Sequence, residues 1–408
     1  MIRLLQARNF RMLRSNSVAL QPFQVLVGQN ATGKSTLLGA LQLIGDILGG
    51  GVNHAVERVA PNFYDLCFDP SQPVAFAVQL SVPSPEREER RLRYEIEIGI
   101  DPDIGLRVLE EYLFILPEEE ADDPEPSLFG DEIFTTVHHT APRGWRKVVS
   151  KTKEGRDYFR DEKTEWNNMF RFGVDRAALG SLPEDPERFP LSISARNALR
   201  NGIRTLQLEA PKLRSTSPPG ASSKMELDGS NLPHVVREFM RRDPVLFNQW
   251  VQHVAVAIEG LEAIRVRERE EDRHLILEAK FKGQHQEAVP SWLLSDGTLR
   301  LMALTLLSYA ATEDDLDTYL IEEPENGLHP LAIQVVYEAL SKPPTNAQVL
   351  CATHSPIFLA QTDLEHALVF RRAEGGYAVV RRAPEIPELQ AWTGRINLSD
   401  LFVTGVLA

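Results

Sequence analysis

The sequence predicts an α/β fold with a mixed sheet, and three observations of the same kind predict it. A short apolar run, Phe23-Gln24-Val25-Leu26-Val27, passes through a glycine loop into the helical pattern Leu37-Leu38-Gly39-Ala40-Leu41-Gln42-Leu43-Ile44. A second apolar run, Tyr319-Leu320-Ile321, ends in Glu322 and Glu323, as a buried parallel strand does when it delivers acids to the C-terminal edge of a sheet. A third, Val349-Leu350-Cys351-Ala352-Thr353, ends in His354.

The glycine loop is Gly28-Gln29-Asn30-Ala31-Thr32-Gly33-Lys34-Ser35-Thr36, which fits the pattern G-x-x-x-x-G-K-[ST]. Glycines let backbone N–H groups approach phosphates, and the helix N-terminus behind them adds its positive dipole end. Lys34 is placed to reach the β- and γ-phosphates, and the Ser35 hydroxyl to ligate Mg²⁺. These residues imply a bound nucleoside triphosphate.

Ahead of the loop, Met1-Ile2-Arg3-Leu4-Leu5 reads as the start of a strand and has no signal-peptide core or cleavage site. After the loop helix, residues 74–82 and 92–98 alternate as antiparallel strands with one wet face. Residues 118–125 predict an exposed, mobile acidic loop. A basic stretch follows: Arg143, Arg146, Lys147, Lys151, Lys153, Arg156 and Arg160, with Trp145, Tyr158 and Phe159 between them. It admits two readings, a grip on a phosphate backbone or the solvated face of an amphipathic hairpin diluted by Asp157, Asp161 and Glu162. Helical patterns cover 192–206 and 232–259, and 211–224 is a mobile linker by composition.

A strand is predicted over 275–279. Beyond it, Ser295 or Asp296 caps the nearly all-apolar helix Leu301-Met302-Ala303-Leu304-Thr305-Leu306-Leu307, with Gly297 permitting close approach, so this N-terminus is a second anion site. Two anion cradles in one chain suit two chains packed head to tail, the cap of one closing over the phosphate loop of the other. Glu322 is placed to hold Mg²⁺, Glu323 to polarise an attacking water, and His354 to sense or stabilise charge at the γ-phosphate. After His354 there is a hairpin-like stretch at 367–382 and a short tail.

Composition is ordinary for a soluble globular protein. The chain has 408 residues, 43% hydrophobic and 25% charged, with a net charge of −14 that argues mildly against a surface built throughout for nucleic acid. No apolar run is long enough to span a bilayer, and a cytoplasmic location is expected. Cys67 and Cys351 form neither a zinc spacing nor a disulfide framework. His138 and His139 are adjacent, and adjacent positions on a strand face opposite ways.

Taken in order, these pieces resemble ABC-type ATPase heads of the RecF, OLD and SMC group, and specifically bacterial AAA-family ATPases with OLD-like heads. Residues 28–36 resemble the Walker A motif, 293–300 (LLSDGTLR) the ABC signature, 319–330 (YLIEEPENGLHP) Walker B with its D-loop, and 352–356 (ATHSP) the switch histidine segment. Ala7-Arg8-Asn9-Phe10-Arg11 is similar to the start of these heads, which implies that Arg11 lies near the nucleotide. Residues 170–176 and 227–232 are similar to the group as well. Glu322 stands where most ABC proteins have aspartate, and Gln72 and Gln79 lie where a Q-loop glutamine is expected.

The resemblance implies a split head, 1–115 with 264–408, around an inserted lid or arm at 116–263 without a long coiled coil. It implies a homodimer formed as an ATP sandwich, in which Ser295 and Gly297 of one subunit meet the nucleotide held by Lys34 of the other. OLD nucleases continue into a Toprim domain, for which this chain has no room, so a built-in nuclease is not expected. The implied function is Mg²⁺-dependent ATP hydrolysis that opens and closes a dimer. It would control a separately encoded effector protein, for instance a nuclease in anti-phage defence. Two alternatives are a nucleotide-gated scaffold with negligible turnover and a RecF-like DNA-repair ATPase that binds DNA; no membrane partner is expected.

Overall fold

A computed structural model describes residues 1–84, 88–118, 134–283, 288–312, 316–343, 347–390 and 398–403. Strands β1 (Ile2–Phe10) and β2 (Leu13–Ala19) form a hairpin, and β3 (Phe23–Val27) leads through the glycine loop into α1 (Lys34–Gly50) and α2 (Val52–Val59). Five strands follow, β4 (Val74–Pro83), β5 (Glu89–Asp101), β6 (Gly105–Ile115), β7 (Arg146–Lys151) and β8 (Asp157–Arg160), then β9 (Asn167–Phe170) and α3 (Pro190–Arg200). Next come β10 (Ile203–Leu206), α4 (Ala210–Leu213), α5 (Leu232–Arg242), α6 (Pro244–Ala255), β11 (Leu261–Glu268), β12 (Leu275–Phe281) and β13 (Val289–Pro290). The last part runs α7 (Asp296–Tyr309), β14 (Thr318–Glu322), α8 (Pro330–Leu340), β15 (Gln348–Thr353), α9 (Pro356–Gln361), β16 (Ala367–Arg372) and β17 (Ala378–Arg382).

The central sheet has the order β10-β14-β15-β3-β16-β17, parallel throughout except for the β16–β17 hairpin. Both its faces are buried, which is why its strands read as continuous apolar runs rather than alternating ones. Leu26, Leu320, Leu350 and Leu368 pack into one core with α1 and α3. Their neighbours Val25, Ile321, Cys351 and Val369 pack into another with α5 to α9. The first core continues onto an eight-stranded antiparallel sheet, β2-β1-β4-β5-β6-β7-β8-β9.

Several local expectations change in the fold. The helix expected over 192–206 stops at Arg200, and its last residues become β10, the edge strand beside β14. Gly202 marks the break, because a Cβ there would come within 2.6 Å of Ala198 O and 2.7 Å of Leu316 O. The helix expected over 232–259 is two helices, divided where Asp243 caps α6 through Leu246 N (2.9 Å) ahead of Pro244. The expected mobile linker is anchored: Ser217 is fully buried and exchanges both main-chain hydrogen bonds with Leu275.

The wet face expected on β4 and β5 is covered as well. Arg93 and Glu95 are buried there as an ion pair at 2.5 Å, under His138 and Trp145. His138 and His139 sit in a loop rather than a strand, and bind Glu95 (2.6 Å) and Glu110 (2.5 Å). The basic stretch runs into the β7–β8 hairpin, where several of its cations are engaged within the chain while Arg143, Lys153 and Arg156 are exposed. Lys151 is fully buried against Asp157 at 2.6 Å, Lys147 lies 4.1 Å from the Tyr112 ring centroid, and Arg160 pairs with Glu165. Of the expected acidic loop, Glu118 is exposed and pairs with Arg90, and 119–125 lie outside the described residues. No described helix is long and apolar enough to cross a membrane.

Candidate nucleotide site

The glycine loop closes between β3 and α1 under the β16–β17 hairpin. Gly33 caps α1 at φ +106°, a conformation suited to glycine, and a Cβ there would meet Ala378 Cβ at 2.9 Å. A Cβ on Gly28 would come within 2.4 Å of Phe370 O. Thr32 Oγ1 donates to Gln29 O at 2.8 Å and fixes the bend. Ala31 takes φ +58°, and Gln29, Asn30 and Ala31 are exposed at the tip. Lys34 Nζ donates to Gly28 O (2.6 Å) and Gln29 O (2.8 Å), which holds the ammonium over the cradle. Burial lowers the Lys34 pKa, against the pull of Glu322 and Glu323.

Parallel pairing of β14 and β15 beside β3 brings three chain segments to one cleft. Ser35 Oγ donates to Glu322 Oε2 at 2.8 Å, although the two are 287 residues apart. Glu323 and His354 lie 3.4 Å apart, each side chain about half exposed (46% and 49%). Asn30, Ala31, Thr32, Gly33, Lys34, Ser35 and Thr36 line this cleft with Glu322, Glu323, Thr353, His354 and Met12. A hydroxyl and a carboxylate in contact, next to a lysine and a glycine-lined cradle, form a donor set that fits a triphosphate with a hard divalent cation.

Glu323 is held in an unusual conformation. It sits at φ +49°, where a non-glycine residue is uncommon, with its N–H on Ala352 O (2.8 Å) and its carbonyl accepting from Arg300 Nη2 (3.2 Å). Beneath it, Glu325 accepts from Thr353 Oγ1 at 2.6 Å, and burial raises its pKa. Arg300, Glu325 and Thr353 join the site only through the fold. Their partners are distant in the chain, and Arg300 on its own looks like an ordinary helix residue.

Other expected residues lie away from the cleft. Ser295 caps α7 through Thr298 N (3.1 Å) and is exposed; Asp296 pairs with Arg214 at 2.6 Å. Gly297 touches the loop after β14, where a Cβ would meet Gly327 O at 2.9 Å. None of the three lines the cleft of its own chain. Arg11 is not brought to the cradle either. The tight β1–β2 turn, with Arg11 at φ +48°, sends its guanidinium to Val59 O (3.1 Å) at the end of α2. Met12 takes the place in the cleft. Gln72 and Gln79 do not line it.

The family model described as "AAA domain, putative AbiEii toxin, Type IV TA system" matches residues 23–360. The chain belongs to this AAA-domain family. The matched span of the AAA domain runs from β3 to α9 and includes the glycine loop, Glu322, Glu323 and His354. Among curated proteins none matches the chain.

Among solved structures, the AAA domain is similar to an Smc head bound to the C-winged helix domain of ScpA, at 16% identity and a TM-score of 0.49, over 93% of this chain and 97% of that one. It is also similar to an Smc head with an extended coiled coil bound to the C-terminal domain of ScpA from Pyrococcus furiosus, at 14% identity and 0.48, over 96% and 98%. The SMC head domain from Thermotoga maritima aligns at 12% identity and 0.43, over 93% and 98%.

Proposed function

We propose that this chain is an ATP-binding, Mg²⁺-dependent ATPase that works as a dimeric, nucleotide-driven switch on a separately encoded effector. The observation that carries the reading is the convergence of Lys34, Ser35, Glu322, Glu323 and His354 on one cleft beneath a helix N-terminus. Lys34 and the loop N–H groups bind the phosphates, and Ser35 and Glu322 hold the cation. A cation held there would supply charge neutralisation at the phosphate oxygens. Glu323 accepts the proton of the attacking water, and His354 stabilises charge at the γ-phosphate.

One chain leaves open a surface that a second copy can cover. Ser295 faces solvent as a helix cap, flanked by the exposed apolar residues Trp292 (46%) and Leu293 (67%). Such a surface suits a second copy seated over the phosphate loop. The split head, with 116–263 as an insertion, belongs to the same proposal, β10 being the part of that interval that joins the central sheet. Anti-phage defence would be the setting if the effector is a nuclease.

Light scattering of Glu323→Gln with and without ATP and Mg²⁺ tests the switch. A mass doubling that needs ATP supports it. An unchanged mass, together with a wild type that does not turn over ATP, would overturn it in favour of a static scaffold.

A further inference from the structure

The order of the central sheet fixes how a nucleotide lies across the glycine loop. β14 and β15, with Glu322, Glu323 and His354 at their ends, stand on one side of β3, and β16 and β17 stand on the other. With its γ-phosphate toward the carboxylates, a bound nucleotide must carry its nucleoside toward the β16–β17 hairpin.

There the hairpin meets the β1–β2 turn. Met12 O accepts from Ala378 N (2.8 Å) and from Arg14 N (3.1 Å), and Asn16 Nδ2 donates to Ala378 O (2.9 Å). Met12 lines the cleft, and Ala378 lies against Gly33. Two residues after Met12, the Arg14 guanidinium lies over the ring of Tyr377, the residue before Ala378, at 5.3 Å from the ring centroid. Phe68 braces that ring edge-on, with centroids 6.4 Å apart and planes at 85°. Arg14 is exposed and Tyr377 is half-buried.

We propose that Met12, Arg14 and Tyr377 form a nucleobase platform, with the base stacked on the face of Arg14 away from Tyr377 and Tyr377 holding that guanidinium flat from below. The inference rests on the nucleotide reading of the cleft given above. A planar delocalised cation lying on one aromatic ring presents an equivalent face to a second ring, and this is arginine chemistry that lysine does not reproduce. Stacking accepts any base, so the platform distinguishes a nucleoside triphosphate from a bare polyphosphate more than one base from another.

Calorimetry of the full chain with Mg²⁺ and either ATP or inorganic tripolyphosphate tests this. Wild type is expected to bind ATP the more tightly. Arg14→Ala and Tyr377→Ala should each weaken ATP about tenfold and leave tripolyphosphate unchanged, while Tyr377→Phe keeps the wild-type ratio. Unchanged ATP affinity in both alanine variants, or equal weakening of both ligands, overturns the platform. Tripolyphosphate bound as tightly as ATP by the wild type overturns the platform alone. A wild type that binds neither ligand overturns the nucleotide reading and the platform with it.

Discussion

Arg300 Nη2 donates to the carbonyl of Glu323 at 3.2 Å, so α7 holds the main chain of the proposed general base. Arg300 sits five residues past the exposed Ser295 cap, and Glu323 sits at φ +49°. Any displacement of α7 therefore reaches the carboxylate that would position water.

Arg300→Ala should lower turnover by roughly tenfold to a hundredfold with little change in ATP affinity, because it disturbs geometry at the γ-phosphate end and leaves the cradle alone. Single-turnover kinetics beside equilibrium binding checks this. A matching loss of affinity would count against a positioning role.

Glu323→Gln should keep ATP binding and lose about 10²–10⁴-fold in steady-state hydrolysis, the range that general-base contributions cover. Undiminished phosphate release would remove Glu323 from that role.

Subunit mixing addresses the proposed sandwich. Lys34→Ala and Ser295→Arg chains should each be inactive alone, while a mixture regains up to about a quarter of wild-type turnover. Half of the dimers are then mixed, and each holds one intact site of two. No recovery on mixing would argue that Ser295 does not act in trans.

Gly33→Ala should cost about 1–2 kcal/mol of stability from its left-handed backbone, with further strain against Ala378, and should weaken ATP binding. Thermal unfolding together with binding reads both effects. Normal stability and affinity would mean that the loop reshapes freely.

Glu111 supplies a pH dependence away from the cleft. It is fully buried, accepts from Tyr94 Oη (3.0 Å), Leu179 N (2.9 Å) and Ala178 N (2.5 Å), and burial pushes its pKa up to about 7. A carboxyl with its pKa raised in the folded state binds its proton more tightly folded than unfolded. Stability should therefore fall as pH rises from about 4.5 to 7, by up to about 3 kcal/mol, and level off above that. Chemical denaturation across this range should show the slope in wild type and a flatter one in Glu111→Gln.

Much of the site was legible because its chemistry is written in contiguous segments. The loop from Gly28 to Thr36, the Glu322-Glu323 pair and the His354 strand end each follow from residue types at fixed spacing, and buried parallel strands leave continuous apolar runs. Tertiary structure decided what depends on partners far along the chain. It turned the end of an expected helix into β10 beside β14, sent Arg11 to Val59 and put Met12 in the cleft. It roofed Gly28 and Gly33 with Phe370 and Ala378, and joined Arg300 to Glu323 and Thr353 to Glu325. Local propensity carries only the preferences of neighbouring residues, whereas these pairings exist because sheet order and core packing bring distant segments within hydrogen-bond reach.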